Sequence, residues 1–259
     1  MFEDLEARGF QFEFLSHAAA ILKVDFPDAL DELRRALEHV SVPIEELIGS
    51  GGGETKGTQR LRHALAELGW PKETFTIEKR INGAARESVS HVVDHVRRLS
   101  NGVVALELEW NNKDPFFDRD LENFKRLHAE GAIDVGVVVT RGASLQDALV
   151  GLVRRFADER QLAGVQALLA LGLNPTRRQQ SDFERRVRGG QTFREAWAQS
   201  FVQDKYGAST THWRKLDDRL RRGVGNPCPL LLIGLPASIV TFGEGLDIAR
   251  FESDEGAPS

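Results

Sequence analysis

The sequence predicts an α/β (α+β) protein with a central mixed β-sheet flanked by helices in one main domain. Segments rich in β-branched residues alternate along the chain with segments of helical period. "IDVGVVVT" (133–140) is a continuous apolar run, the mark of a strand covered on both faces. "LSNGVVALELEW" (99–110) joins two strand patterns through Asn101-Gly102, a strong hairpin signal. The 259 residues suffice for one large domain, and no repeat or low-complexity tract divides them.

Taken in order, "GFQFEFLSH" alternates like a strand, and "AAAILK" and "PDALDELRRALEHV" read as helices, the second opened by Pro27. "GSGGGETKG" (49–57) is a loop leading into a helix whose apolar positions are Leu61, Ala64, Leu65 and Leu68. "FTIEKRI", "SVSHVVDHV" and "GVVALELEW" follow as strands. "DPFFDRDLENFKRLHAEG" is a helix ended by Gly131, and "SLQDALVGLVRRFADE" is a helix with Ser144 as its cap. "TFREAWAQSFVQDKYG" and "TTHWRKLDDRLRRG" are helices, and "CPLLLIGL" is a late strand. Residues 1–250 are expected to form the single domain. Its chemistry centres on a hairpin at about 86–110, a basic part spans about 176–225, and 251–259 form a frayed tail.

Composition narrows the function. The N-terminus "MFEDLEARGF" has no apolar core of a secretory signal, and no apolar run approaches the ~20 residues that span a bilayer. A cytoplasmic protein without a membrane partner is expected. The single cysteine, Cys228, excludes an internal disulfide framework and a cysteine-based zinc site, and is expected to be buried. The net charge is −5, yet Thr176–Arg222 holds twelve basic and six acidic residues, +6 net, which leaves −11 for the remainder. Such a basic segment suits a polyanion held on one face, or it is a set of solvated helices.

The acidic residues of the hairpin carry the chemistry. If Asn101-Gly102 are the turn, Asp94 lies opposite Glu109; if Ser100-Asn101 are the turn, Asp94 lies opposite Glu107. Glu107 and Glu109 share a face by the two-residue period, so either register gathers three carboxylates. Only a three-residue loop turns Asp94 away. Val104, Leu106, Leu108 and Trp110 form the opposite, core-facing side. Clustered carboxylates repel unless a cation lies between them, and hard oxygen ligands select Mg²⁺, with Mn²⁺ as a substitute. Such an ion activates water and neutralises charge developing on a phosphate.

An acid on one strand followed by Glu-x-(Lys or Glu) on its hairpin partner is the pattern of the PD-(D/E)xK nucleases, here in a BamHI-like Glu-x-Glu form. "SHVVDHV", "LELEWNNKDPFFDRDLENFKRLH", "IDVGVVVTR" and "ASTTHWRKLDDRLRRGVGNPCPLLLIG" together resemble the BglII family of type II restriction endonucleases over roughly residues 10–240. The resemblance implies a restriction-endonuclease-like fold, with Asp94 and Glu107 as metal ligands. Glu109 stands where most of the superfamily has Lys, which leaves open whether it is the general base or a ligand of a second ion. Related enzymes use a helix-borne acid, for which Glu54 is the secondary candidate beside an ordinary first-turn role.

The same resemblance sends the segment after the catalytic strand to base edges. Asn111 and Asn112 match it and either read adenine or cap the helix begun near Asp114. Lys113 is a phosphate contact or ion-pair partner. Arg141 matches the next recognition loop, where it reads guanine or is a loop charge near Ser144. In "ASTTHWR", Ser209 or Thr210 is expected to cap the basic helix, and that segment, with Thr211, His212 and Arg214, is the remaining DNA-contact candidate; His91 and His212 are expected to be structural. The implied activity is Mg²⁺-dependent hydrolysis of duplex DNA at a short palindromic site, GATC-containing in the family, by a homodimer paired with a cognate DNA methyltransferase. A repair or structure-selective nuclease, a non-catalytic DNA-binding protein on a nuclease fold, and a small-phosphoester hydrolase are the competing readings.

Overall fold

The computed structural model describes residues 1–49 and 55–243, with the backbone alone at 85–87. Glu54, the glycines before it and the expected tail at 251–259 lie outside the described residues. The elements run α1 (Glu3–Ala7), β1 (Gln11–Leu15), α2 (Ala18–Asp25), α3 (Pro27–Glu38), β2 (Val42–Pro43), α4 (Ile44–Ile48) and α5 (Lys56–Glu67). Then come β3 (Glu73–Ile81), β4 (Ala84–Val93), β5 (His95–Leu99), β6 (Gly102–Glu109), α6 (Phe116–Ala129), β7 (Val135–Arg141) and α7 (Ala143–Glu159). The chain continues through α8 (Val165–Ala170), α9 (Arg177–Arg188), α10 (Phe193–Lys205), α11 (Trp213–Arg221), β8 (Leu230–Leu235) and β9 (Val240–Thr241). No helix among the described residues is long and apolar enough to cross a membrane.

The central sheet has the order β1-β8-β7-β6-β5. Its inner pairs, β8–β7 and β7–β6, are parallel, and its outer pairs, β1–β8 and β6–β5, are antiparallel, so the sheet is mixed. The expected α/β class with a mixed sheet between helices is the one observed. Alternation along the strands divides the core into two layers. Val104, Leu106 and Leu108 of β6 pack with Val137, Val139, Leu231 and Ile233 against Leu22 of α2, Leu149 of α7 and their neighbours. Ala105, Val138 and Leu232 pack on the other face against Phe117, Leu121 and Phe124 of α6 and Leu216 of α11. Glu107 and Glu109 therefore face the α6 layer and not open solvent.

The segment expected as one strand, "SVSHVVDHV", is two. β4 pairs with β3 in a separate two-stranded sheet, and β5 joins the central sheet. Asp94 is the single residue between them, outside both strands. The break is held from below: Val96 N–H donates to Pro71 O (2.8 Å), and the His95 ring nitrogen Nδ1 lies 2.9 Å from Trp70 O. One turn of chain further on, Arg97 grips Glu32 of α3 through two hydrogen bonds (2.8 and 2.7 Å).

The hairpin register is also settled. Leu99 pairs with Gly102 and His95 with Leu106, so Ser100-Asn101 form the turn and the Asn101-Gly102 alternative does not hold. Gly102 is glycine for another reason. Its φ is +148°, and a Cβ there would lie 2.1 Å from Asp134 Oδ2, the atom that accepts the Val103 N–H at 2.8 Å. The Asn-Gly pair thus marks a close backbone approach beside the turn.

Two expected caps are not used. The N-cap of α7 is Gly142, with no side-chain cap hydrogen bond, and that of α11 is His212, again without one. Ser144 instead accepts from Ala237 N–H (3.4 Å), and Ser209 and Thr210 lie in an extended segment described below. Replacing Gly102 with Ala should destabilise the protein by about 1–3 kcal/mol, because both its dihedral and its contact with Asp134 are strained. Denaturant unfolding of the variant checks this; unchanged stability would mean that the turn readily re-forms in another register.

Candidate active site

The C-terminal end of β6, the junction before β5 and the first turns of α6 converge on four carboxylates: Asp94, Glu107, Glu109 and Asp120. Glu107 and Glu109 are each 3% exposed and Asp120 is fully buried. The observed register sets Asp94 beside Glu107, and their carboxyls share a hydrogen bond. Glu109, one pleat further along, shares a hydrogen bond with Asp120. Among the described residues no three Asp, Glu, His or Cys side chains are grouped so as to hold an ion between them.

Asp120 is the site residue that sequence reasoning missed. It lies on the buried face of α6, among Phe117, Leu121, Phe124 and Leu127. An aspartate three residues after one core phenylalanine and four before another was the available signal. Gly136 of β7 makes the approach possible: a Cβ there would lie 2.6 Å from the Phe124 ring, so only glycine lets α6 settle this close to the sheet.

Two arginines and an amide partly compensate the charge. Arg62 of α5 donates to Asp94 Oδ2 (2.8 Å), Arg119 lies 2.7 Å from Asp120 Oδ1 and 3.7 Å from Glu109 Oε1, and Asn112 Nδ2 donates to Glu109 Oε2 (2.7 Å). Burial pushes the Asp94 carboxyl up, but the hydrogen bond and charge of Arg62 outweigh it and hold Asp94 below its ordinary value. Glu107 has no such partner. Burial first, and then the negative charges of Asp120 and Asp94, push it up to about 10. Glu109 is raised to about 8 by burial and Asp120, with Asn112 pulling the other way. Burial also raises Asp120 against the pull of Arg119.

In chemical type, though not in a closed three-ligand grouping among the described residues, this donor set is one a divalent cation would take. All the donors are hard carboxylate oxygens, and Asp120 is fully buried beside the carboxyl of Glu109. Asp94 with Glu107, and Glu109 on the same face, are the side chains that would hold it.

The expected DNA-contact residues divide into two groups. The segment 112–114 lies alongside 209–211 as a short extended pair. Thr211 N–H donates to Asn112 O (2.8 Å), Asn112 N–H to Thr211 Oγ1 (3.1 Å) and Asp114 N–H to Ser209 O (3.0 Å), and Lys113 bridges to Thr210. Asn111 and Asn112 do not cap α6, which starts at Phe116 behind Pro115 with no side-chain cap. Asn112, Lys113 and Ser209 are exposed, and Asn111 is half-buried with a sequestered, unpaired Oδ1. Arg214, also exposed, is held by both oxygens of Asp147 (2.8 and 2.6 Å).

Arg141, Thr211 and His212 belong to the second group and are buried. The Arg141 guanidinium donates to Thr211 O (3.2 and 2.7 Å) and Thr210 Oγ1 (2.6 Å) and stacks 4.9 Å from the Tyr206 ring centre. Arg141, offered as a guanine reader or a loop charge near Ser144, is fully buried and supports the 209–211 strip from within. His212 is driven down to about 4 by burial and by the charge of Arg141. Cys228 is buried, as expected, and His91 is buried too.

The helix-flanked mixed sheet with an acidic end is the fold of a restriction endonuclease. A family model described as Restriction endonuclease BglII/BglIII matches residues 10–235, and the chain belongs to that family. The family is one of nucleases that cut DNA site-specifically. No curated protein matches the chain closely enough to be named as a relative.

The raised carboxyls have a consequence for stability. Between the ordinary value of 4.5 and about 8, the unfolded chain gives up the Glu107 and Glu109 protons while the fold retains them. This contribution to stability therefore falls as pH rises through that window. Glu107→Gln should raise the melting temperature of the protein in EDTA by a few degrees, with a larger gain at about pH 8 than at about pH 5. Melting curves at the two pH values check it; a gain independent of pH would contradict the shared-proton arrangement.

Proposed function

We propose that this protein is a type II restriction endonuclease that hydrolyses duplex DNA at a short palindromic, GATC-containing site. The reaction would use Mg²⁺, with Mn²⁺ able to replace it, and leave 5′-phosphate ends. The observation that carries the reading is the row of half-buried Asp94 and buried Glu107 and Glu109, which lies beside an exposed polar strip formed by Asn112, Lys113 and Ser209. A burial of like charges this costly is retained where an ion and a phosphate complete it.

When bound, the ion would polarise the phosphate and acidify the attacking water. Asp94 and Glu107 would hold it. Glu109, raised into the neutral range and aimed by Asn112, is suited to accept the proton from that water. Arg62 and Arg119 supply positive charge at the two ends of the row, where a phosphodiester's oxygens would lie. Asn111, Asn112 and Lys113, with Ser209 and Thr210 opposite, would follow the groove and the backbone. Asn112 is exposed beside the row, and with its Nδ2 donating to Glu109 its Oδ1 is the atom that would accept from a base edge. A palindromic site would call for two copies of the chain related by a two-fold axis. Self-DNA would need protection by a cognate methyltransferase in the same cytoplasm.

Digestion of plasmid DNA with Mg²⁺ followed by sequencing of the ends tests the activity and reads the site. Glu107→Ala should cut at least ~10²-fold more slowly while binding DNA normally, since it removes a metal ligand and no phosphate contact. Undiminished cutting would reject the site. Asn112→Ala should both slow cutting and broaden the set of sequences cut. An unchanged cleavage pattern at full rate would remove Asn112 from both roles.

A further inference from the structure

We propose that Thr140, Arg141 and Thr211 are positioning residues that join the 209–211 strip to Glu109, so that the surface offered to DNA and the carboxyl offered to the attacking water are placed together. This rests on the nuclease reading of the site and assigns part of its site choice to residues behind the surface. All three are fully buried. None of them presents an atom to a base edge or a phosphate, so whatever they contribute to discrimination passes through the groups they hold.

The contacts leave the end of β7 in two directions and meet again at Glu109. The Thr140 hydroxyl donates to the main-chain oxygen of Glu109 (2.7 Å). The next residue, Arg141, donates to Thr211 O (3.2 and 2.7 Å) and to Thr210 Oγ1 (2.6 Å). Two adjacent residues thus hold the end of β6 with one side chain and the strip with the other. Thr211 closes the ring: its N–H donates to Asn112 O (2.8 Å), and its Oγ1 accepts the Asn112 N–H (3.1 Å). Asn112 then donates from its side chain to Glu109 Oε2 (2.7 Å). Glu109 is therefore held at its main chain through Thr140 and at its carboxyl through Thr211 and Asn112.

The ring is anchored from below. The Arg141 guanidinium lies 4.9 Å from the Tyr206 ring centre, and the Tyr206 hydroxyl donates to Leu47 O of α4 (2.7 Å). Because Glu109, Thr140 and Thr211 are buried, loss of one member leaves a polar group unpaired in the interior. A strip that shifts to meet a wrong base pair carries Thr211 with it, and the two backbone bonds carry Asn112 and its grip on Glu109. A reacting group misplaced by about 1 Å loses on the order of 10²-fold in rate. The ring thereby converts a poor fit at the strip into slow chemistry at the carboxyl.

The experiment measures kcat and KM of the full-length protein on duplexes carrying its own site, read from the ends of cut plasmid, and on the same duplexes with one base pair replaced. Thr211→Val, which removes only the oxygen that accepts from Asn112, should lower kcat at the proper site by about 10-fold with KM little changed, and should narrow the preference over replaced sites by a similar factor. Thr211→Ser, which keeps that oxygen, should restore both. Thr140→Val should act in the same direction as Thr211→Val, and decides if the latter does not fold. A merely structural role would lower the melting temperature and leave the preference ratio unchanged; that result, or a Thr211→Ser as defective as Thr211→Val, overturns the proposal. In the wild type without DNA, the Asn112 and Thr211 amides should exchange hydrogen equally slowly, and fast exchange of either overturns it whether or not the variants fold. A wild type that cuts no DNA with Mg²⁺ or Mn²⁺ would instead bring down the nuclease reading on which the proposal stands.

Discussion

Confinement of negative charge between a sheet and a helix is the constraint on which the rest of this structure depends. Glu107 and Glu109 point from β6 into the layer formed by Phe117, Leu121 and Phe124, and α6 adds Asp120 from above. Desolvating each such ion costs several kcal/mol. The surroundings reduce this cost in distinct ways: Arg62 neutralises Asp94, Arg119 lies against Asp120, Asn112 donates to Glu109, and Glu107 and Glu109 are shifted toward their neutral forms. The opposite face of β6, with Val104, Leu106 and Leu108 fully enclosed, supplies the apolar burial that keeps the strand in place regardless.

Much of this was legible because strand alternation leaves a strong trace. The two-residue period put Glu107 and Glu109 on one face and Leu106 and Leu108 on the other, and the unbroken apolar run of β7 announced a strand covered on both sides. What could not be read was tertiary. The register was ambiguous by one residue, because Gly102 answers to Asp134, 32 positions away, as much as to its own turn. Asp94 read as mid-strand because nothing local reveals that β4 leaves one sheet and β5 enters another. Asp120 was hidden in a helix whose other buried residues are ordinary core, and its meaning depends on what β6 places opposite. Arg141 read as a loop charge after a strand; its burial follows from Tyr206 and Thr211, both far along the chain.

The basic segment shows the same gap between composition and structure. Among the described residues, nine of its twelve cations lie within ion-pair distance of a carboxylate, among them Arg186 with Asp182, Arg219 with Asp114 and Asp118, and Arg222 with Asp218. Lys205 is turned inward to Gly49 O (2.6 Å). A run of positive residues in sequence is here mostly a set of local pairs, some within α9 and α11 and some joining α9, α10 and α11 to neighbouring segments. Any field it offers a polyanion is weaker than a count of arginines implies.

The two hairpins differ in how freely their lengths can drift over evolution. The outer one turns at Asn82-Gly83, where a Cβ on Gly83 would meet nothing within 4 Å, so an inserted residue there would project into water. The inner one turns at Ser100-Asn101, with Asn101 donating to Asp25 O (3.1 Å) and Gly102 seated on Asp134. One extra residue at that tip would carry Asp94 across the pleat, away from Glu107. Descendants of this chain are therefore free to lengthen the first loop and bound to conserve the size of the second.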